Sequence, residues 1–354
     1  MKTNISTILP VKRKQVIIMI VTAIVLLLVF FIALHIGRAG LTYKETVSAI
    51  FGMGNRSNID VIYKDRLPKI VLGILVGIGM GISGVIMQDI MHNSLASPGT
   101  LGVSSGSSVF VTVYMLASGF VITKNGINTK TATVLSSIGL PLAALLGGVF
   151  SAILIFLLSK KKKDYFSATR LIMIGVAVSS LYGAISMFLV NILDENKIEL
   201  VQRWQSGELW GTEWKYIIVL TIWLAISIFF VYREAMVLNV IKLSYETSKA
   251  LGVNIEKKFL YFATMSVVMC SGVVAFGGNF FFLGLIGPHI ARKMVGTDSR
   301  ILIPTAGVVS AIIVVIANAF GSGLKFLANV PIGIIISIFS VPYFIYLLLR
   351  KSED

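Results

Sequence analysis

Apolar residues recur in eight runs, near 15–36, 67–90, 133–158, 168–192, 214–232, 259–276, 302–320 and 331–349. Each approaches the ~20 residues that an α-helix needs to cross the hydrocarbon core of a bilayer. Two further runs, 100–119 and 279–295, are richer in Gly and Ser or interrupted by Pro288, which predicts helices buried inside a bundle rather than facing lipid. The pattern therefore predicts an all-α polytopic membrane protein of about ten transmembrane helices. Polar segments between the runs are too short to fold separately, so residues 1–354 read as one integral-membrane domain, with 1–14 as a tail. The first run is too long for a signal-peptide core and is expected to stay as a membrane helix. Outside the spans, 41–51 predicts a surface helix. The loop 233–258 contains Glu246-Thr-Ser-Lys-Ala-Leu-Gly-Val253, whose small, apolar and charged alternation predicts a short amphipathic helix stopped by Gly252.

One stretch breaks the hydrocarbon-filling pattern. His92-Asn-Ser-Leu-Ala-Ser-Pro-Gly-Thr-Leu-Gly-Val-Ser-Ser-Gly106 is small, polar and glycine-rich between two apolar runs. Irregular backbone at membrane depth survives only where protein or a wet cavity satisfies its N–H and C=O groups, so this is the first candidate for a transport path. Pro98 and Gly99 fit either the start of a third helix, with free N–H groups directed at the path, or a tight interhelical turn.

Composition agrees: 56% of the 354 residues are hydrophobic and 13% charged, against about 25% charged in soluble proteins. The net charge of +15 lies in short clusters flanking the spans, which argues for topogenic charge and against nucleic-acid binding. Lys12-Arg-Lys14 and Arg350-Lys351 place both termini in the cytoplasm and require an even number of spans. With that assignment 19 of the 31 Lys and Arg residues lie inside and 12 outside. The outer excess falls in 37–69, where Arg56, Lys64 and Arg66-Leu-Pro-Lys69 form a basic patch suited to an acidic partner or to interfacial anchoring. Lys160-Lys-Lys-Lys163 is a cytoplasmic topogenic run. Lone Cys270 excludes a disulfide within the chain and is expected to serve packing.

The remaining motifs have modest readings. Gly73, Gly77, Gly79, Gly81 and Gly84 offer small faces for close helix approach. Ser167 and Thr169 suit an inner mouth or a helix cap. Trp204 and Trp214 suit interfacial anchors. His289, beside Pro288 and Arg292, suits a structural histidine or a titrating switch. No spacing for a metal cluster, nucleophile–base pair or phosphate-binding loop occurs, so no cofactor, catalytic residue or intrinsic ATPase is expected.

Taken together, Arg66-Leu-Pro-Lys69, Ser83-Gly84 with Gln88, Asn93-Ser-Leu-Ala-Ser-Pro98, Leu101-Gly-Val-Ser-Ser-Gly106, Trp204, Trp214, Ala250-Leu-Gly-Val253, Gly284-Leu-Ile-Gly-Pro-His-Ile-Ala-Arg292, Asp298, Arg300 and Val330-Pro-Ile-Gly333 resemble the FecCD-type permease subunits of importers for iron-siderophores, haem and cobalamin. The resemblance covers almost the whole chain. It implies a type II ABC importer permease in the bacterial cell membrane, paired with a second copy or a paralogue. Two cytoplasmic ATPase subunits and an extracytoplasmic substrate-binding protein complete the implied assembly. By resemblance, Arg66 and Lys69 are docking positions for the binding protein, joined by Arg56 of the same patch and by Lys325. Asn93, Ser94, Leu95 and Thr169 map to the gate. Glu246, Ser248, Ala250, Leu251, Gly252 and Val253 map to the helix that couples to the ATPase. The chain departs from the family at Ser94, where Pro is usual, at Asn318 and Asn329, where acids are frequent, and at Ser322, where Lys325 stands close enough to substitute. A paralogous partner would supply such missing groups.

The expected function is import of a ferric siderophore by alternating access, with haem or cobalamin as alternative cargo. An ion-coupled secondary transporter would need intramembrane carboxylates or histidines, and a membrane-embedded enzyme paired catalytic groups at one depth; the spans contain almost none.

Overall fold

The computed structural model describes residues 8–99, 101–117, 122–123, 126–127, 132–160, 168–209, 212–243, 245–327 and 329–351. Ten helices correspond to the ten apolar runs: α1 (Ile8–His35), α4 (Leu67–Met91), α5 (Val103–Ala117), α6 (Ala132–Ser159), α7 (Ala168–Val190), α9 (Trp214–Arg233), α12 (Ile255–Gly277), α13 (Leu283–Val295), α14 (Ser299–Gly323) and α15 (Ile332–Lys351). Five shorter helices join them: α2 (Tyr43–Ile50), α3 (Arg56–Asp60), α8 (Glu195–Gln205), α10 (Ala235–Ile241) and α11 (Tyr245–Ala250). A two-residue hairpin, β1 (Ile122–Thr123) with β2 (Gly126–Ile127), pairs Ile122 with Ile127.

Among the described residues, seven helices are long and apolar enough to cross a membrane unaided. The two runs read as buried spans yield α5 of 15 residues and α13 of 13. At 1.5 Å per residue these reach roughly 20 Å, short of the ~30 Å hydrocarbon core. Both are lined with buried residues, so protein rather than lipid surrounds them. The expected start of the third helix at Pro98 or Gly99 is corrected: helix geometry begins at Val103, after turns in which Leu101 N donates to Ser97 O and Gly102 adopts φ +87°.

Helix α4 lies at the centre. Its face of small residues closes directly on α14 and α13. A Cβ at Gly77 would strike Ala311 Cα, and one at Gly84 would strike the Gly284 carbonyl oxygen. Such approach of main chain to main chain is available only where no side chain intervenes. Upstream, α4 continues without a break through a π-helical turn, Val61–Arg66, into α3, so Pro68 sits within a longer rod. Pro68 brings no N–H to the ladder, and the wider π turn before it accommodates that gap. In contrast, α1 and α9 present Ile24, Leu28, Ile222, Ile226 and Phe229 outwards, as a hydrocarbon-facing surface requires.

Two of the short helices follow local chemistry. Thr42 caps α2 in a reciprocal box with Glu45, and the hydrogen bonds from Thr42 hold the Glu45 carboxyl below its ordinary range. Residues 195–205 form α8, which carries Trp204 into the core at 1% exposure. The interfacial reading of Trp204 is therefore corrected: its carbonyl accepts from Gly207 N and Asn279 N, tying α8 to the start of the α13 segment. Trp214 remains part-exposed and donates to Tyr63 O at 3.1 Å. Cys270 is buried against Met80, which fits packing.

Candidate transport site

The bundle has two ends, distinguished by Arg66 at one and Asp89 at the other, because α4 runs between them.

At the Arg66 end a cavity of about 240 Å³ is lined by Arg38, Asp65, Arg66, Lys69, Arg203, Glu208, Asn318, Ser322 and Asn329. Of the basic positions read from the sequence, Arg66 and Lys69 meet here, together with Asn318, Ser322 and Asn329, the three polar positions at which the chain departs from the family it resembles. Arg56 and Lys325 are exposed and lie outside this lining. Arg66 is not a free surface cation. It is 7% exposed, and its Nη1 donates to Leu34 O at 2.8 Å and His35 O at 2.9 Å, closing the C-terminal end of α1. A guanidinium suits that task, since the last carbonyls of a helix lack internal donors and carry negative partial charge. Lys69 is half-buried. Arg203, which the sequence reading passed over, is held by Glu199 at 3.0 Å and Glu208 at 3.6 Å.

A second cavity of about 260 Å³ opens between α5, α7 and α8. Its polar lining is Ser105, Ser108, Tyr182, Ser186, Gln202, Gln205 and Asn279, without a charged side chain. Gln205 Nε2 donates to Ser186 Oγ at 3.0 Å, and the buried Asn279 Oδ1 has no hydrogen-bond partner among the described residues.

At the Asp89 end, α4 stops at His92, whose left-handed φ of 50° turns the chain. Asn93 Oδ1 then accepts from Leu95 N at 2.9 Å, and Asn93 O accepts from Ala96 N at 3.1 Å. This Asx turn is local chemistry that Asn supports well. It leaves Ser94 and Leu95 exposed, Leu95 at 46%, while Ala96, Ser97 and Pro98 are buried beneath. Three of the four gate candidates thus share one protruding turn. The fourth, Thr169, lies exposed in the first turn of α7, which reaches the same segment higher up, where Gly175 closes on Leu101.

Helix α11 ends as the sequence predicts. Gly252 takes φ +79°, its N–H donates to Lys249 O, and Val253 N donates to Ser248 O. That pair is a Schellman ending, which favours glycine because the left-handed residue carries no Cβ penalty. Glu246, Ala250 and Leu251 face outwards, Leu251 at 59% exposure. Ser248 is buried and donates to Val240 O at 2.8 Å, and Val253 packs against the core. The six coupling candidates therefore divide into an exposed face and the residues that fix it to α10.

A charged cluster absent from the sequence reading lies between the Asn93–Leu95 turn and α11. The Asp89 carboxylate, its side chain 1% exposed, meets Lys242 Nζ at 2.9 Å and Arg292 Nη2 at 2.9 Å. Lys242, which caps α10, also donates to Ser299 Oγ at 2.7 Å and to Thr297 O. Burial pushes the Lys242 ammonium below its ordinary value, a shift that Asp89 opposes. Asn239 holds the neighbouring strut, donating to Asp298 Oδ1 at 2.9 Å while accepting from Ser299 N at 2.8 Å. His92 Nε2 approaches Ile241 O at 3.1 Å. Since a carbonyl only accepts, that ring nitrogen carries the proton. Asp89 and Arg292 each stand near the end of an apolar run in the sequence; their convergence with Lys242 depends on three separate helices and has no local signal.

Comparison with known proteins places these features in a family. A profile of the FecCD transport family matches residues 25–350. The iron(3+)-hydroxamate import system permease protein of Bacillus subtilis is 32% identical, the alignment covering 96% of this chain and 98% of that protein. An iron-uptake system permease protein of Bacillus subtilis is 30% identical over 93% and 96% of the two chains, and the hemin transport system permease protein of Yersinia pestis 29% over 82% and 83%. Among solved structures, an inward-facing metal-chelate type ABC transporter superposes with a TM-score of 0.78 at 26% identity, covering 95% of this chain and 99% of that one.

Proposed function

The chain belongs to the FecCD transport family, whose members are permease subunits of ABC transporters, and on that premise we propose that it is the permease of an ATP-driven importer of ferric hydroxamate-type siderophores. The reading rests chiefly on the cavity lined by Ser105, Ser108, Tyr182, Ser186, Gln202, Gln205 and Asn279. Hydroxyls and amides without a fixed charge offer weak, exchangeable hydrogen bonds, which a path for a chelate already wrapped by its own ligands requires. Tight binding in the path would oppose release, so selection falls to the delivering protein. The first relative described above, named for iron(3+)-hydroxamate import, supports the same cargo class. An ion-coupled transporter is disfavoured because the buried carboxylate of Asp89 is held by two cations and is not free to carry a coupling ion.

In this reading the Asp89 end is cytoplasmic, with both termini on that side. The exposed face of α11, formed by Glu246, Ala250 and Leu251, rests on an ATPase subunit. The Arg66 end receives the substrate-binding protein, with Lys69, Arg56 and Lys325 as reachable cations. The turn Asn93–Leu95 closes the inner mouth. ATP binding by the partner moves α11, and the bundle exchanges which end is open.

Proteoliposomes containing the chain, its ATPase and its binding protein test this directly. ATP-dependent uptake of a ferric hydroxamate is expected, and Leu251→Glu should leave assembly intact while lowering uptake per ATP hydrolysed at least tenfold. Uptake that proceeds without ATP or without the partners would overturn the importer assignment.

A further inference from the structure

We propose that Asp89, Lys242 and Arg292 form the mechanical link by which movement of α11 reaches the gate turn, Lys242 acting as the positioning residue. The proposal rests on the importer reading above and adds to it the specific connection through which it works.

Four observations carry it. First, α11 is fastened to α10 by Ser248 Oγ on Val240 O at 2.8 Å, so displacement of α11 moves the end of α10. Second, the next residues along α10 both grip the gate helix: Lys242 Nζ holds Asp89 at 2.9 Å, and Ile241 O meets His92 Nε2 at 3.1 Å. Third, His92 directly precedes Asn93 and Asp89 lies one helical turn before it, and the turn at Asn93 presents Leu95. Fourth, the second oxygen of the same carboxylate is held by Arg292 of α13, at 2.9 Å. One buried carboxylate thus joins the coupling segment, the gate helix and a half-length helix whose other end reaches the Asn279 cavity.

The chemistry suits a link better than a fastener. A buried ion pair adds little stability over a well-packed apolar contact, because desolvation consumes much of the attraction. What it provides is direction and a choice of partners. Asp89 is satisfied by Arg292 when Lys242 withdraws, and Lys242 retains Ser299 Oγ and Thr297 O when it leaves Asp89. Neither charge is then stranded, so the contact can break and re-form during a cycle without the several kcal/mol that an unpaired buried ion costs. Lys242 is 17% exposed and Arg292 25%, which leaves both a route to water.

Lys242→Met removes the ammonium, keeps an unbranched stem as long as the one that carries it, and leaves Asp89 paired with Arg292. In the fully reconstituted transporter we expect assembly and basal ATP hydrolysis within twofold of wild type, uptake per ATP reduced at least tenfold, and recovery to within threefold in Lys242→Arg. A purely structural role would lower the amount of assembled complex and leave uptake per ATP unchanged; that result, or Lys242→Met retaining uptake per ATP within twofold, overturns the proposal. If Lys242→Met does not assemble, Asp89→Asn is read in the same assay with the same criteria. The double variant Asp89→Asn/Lys242→Met is expected to be no worse than the more affected single one, because the two groups act as one link. Wild-type transporter that shows no ATP-driven uptake overturns the importer reading instead, so the two failures are distinct.

Discussion

Arg66 shows how one side chain can carry a different task from the one its neighbours suggest. Placed among Arg56, Lys64 and Lys69, it reads as part of an outward basic patch, yet its guanidinium is turned inwards to the carbonyls of Leu34 and His35. Replacement by Gln should therefore act on stability: loss of two charge-assisted hydrogen bonds at a buried site costs about 2–4 kcal/mol and lowers the melting temperature of the purified permease. Lys69→Glu should leave melting unchanged and instead weaken docking of the loaded binding protein about tenfold at low salt, the difference shrinking as rising salt shortens the ~10 Å screening length. Binding measured across a salt series separates the two residues. Trp204 teaches a similar lesson. Its indole is amphipathic and suits an interface, but α8 rotates it into the core, and only the neighbours gathered there decide between those outcomes.

Among elements, the pairing of α4 with α14 depends on which glycines face main chain and which face side chains. A Cβ at Gly77 would strike the backbone of Ala311, which cannot yield, whereas at Gly307 it would meet Ile82 Cγ1 at 3.4 Å, an ordinary contact. Gly77→Ala is expected to destabilise the bundle by about 1–3 kcal/mol, while Gly307→Ala should be neutral or slightly stabilising because alanine favours helix by about 1 kcal/mol. Thermal unfolding of the two variants in one detergent reads the contrast. The sequence shows every one of these glycines at helical spacing, but spacing does not say which turn of a second helix lies opposite. Helix α11 is legible for the opposite reason. Its amphipathic residues and its stop at Gly252 are local, and the Schellman hydrogen bonds close within six residues. The stretch 92–106 falls between these cases. Its polar, glycine-rich character marks it as irregular, yet the helix begins at Val103 and not at Pro98, because the turns are completed by Ser97 O, Gly99 O and a left-handed Gly102.

For the whole molecule, the outer surface divides into two kinds of apolar face. On α9 it is bulky, with Ile218, Ile222, Ile226 and Phe229, whereas on α7 the bulky Met173, Leu181, Met187 and Phe188 are interspersed with exposed Ala177, Ser180, Gly183 and Ala184, which permit another helix to approach. That contrast agrees with the dimeric arrangement the family implies, and predicts that a second permease subunit packs against α7. With Cys270 replaced by Ala, Gly183→Cys should form disulfide-linked permease dimers in membranes, while Ile222→Cys should not. Non-reducing electrophoresis checks this, and expression with and without a paralogous permease tells a self-paired dimer from a mixed one.

The amino-acid sequence by itself determined the number and order of the membrane helices, the two surface helices α2 and α11, and the irregular segment that carries the Asn93–Leu95 turn. These follow from hydrophobic run length, capping and turn preferences, all of which act over a few neighbouring residues. Tertiary structure alone decided that Arg66 closes α1, that Trp204 is core, that an uncharged cavity forms between α5, α7 and α8, and that Asp89 meets Lys242 and Arg292 across 153 and 203 positions of chain. The physical reason is that burial and ion pairing are properties of neighbours brought together by helix packing, and in a chain whose spans are uniformly apolar the sequence carries little record of which faces meet.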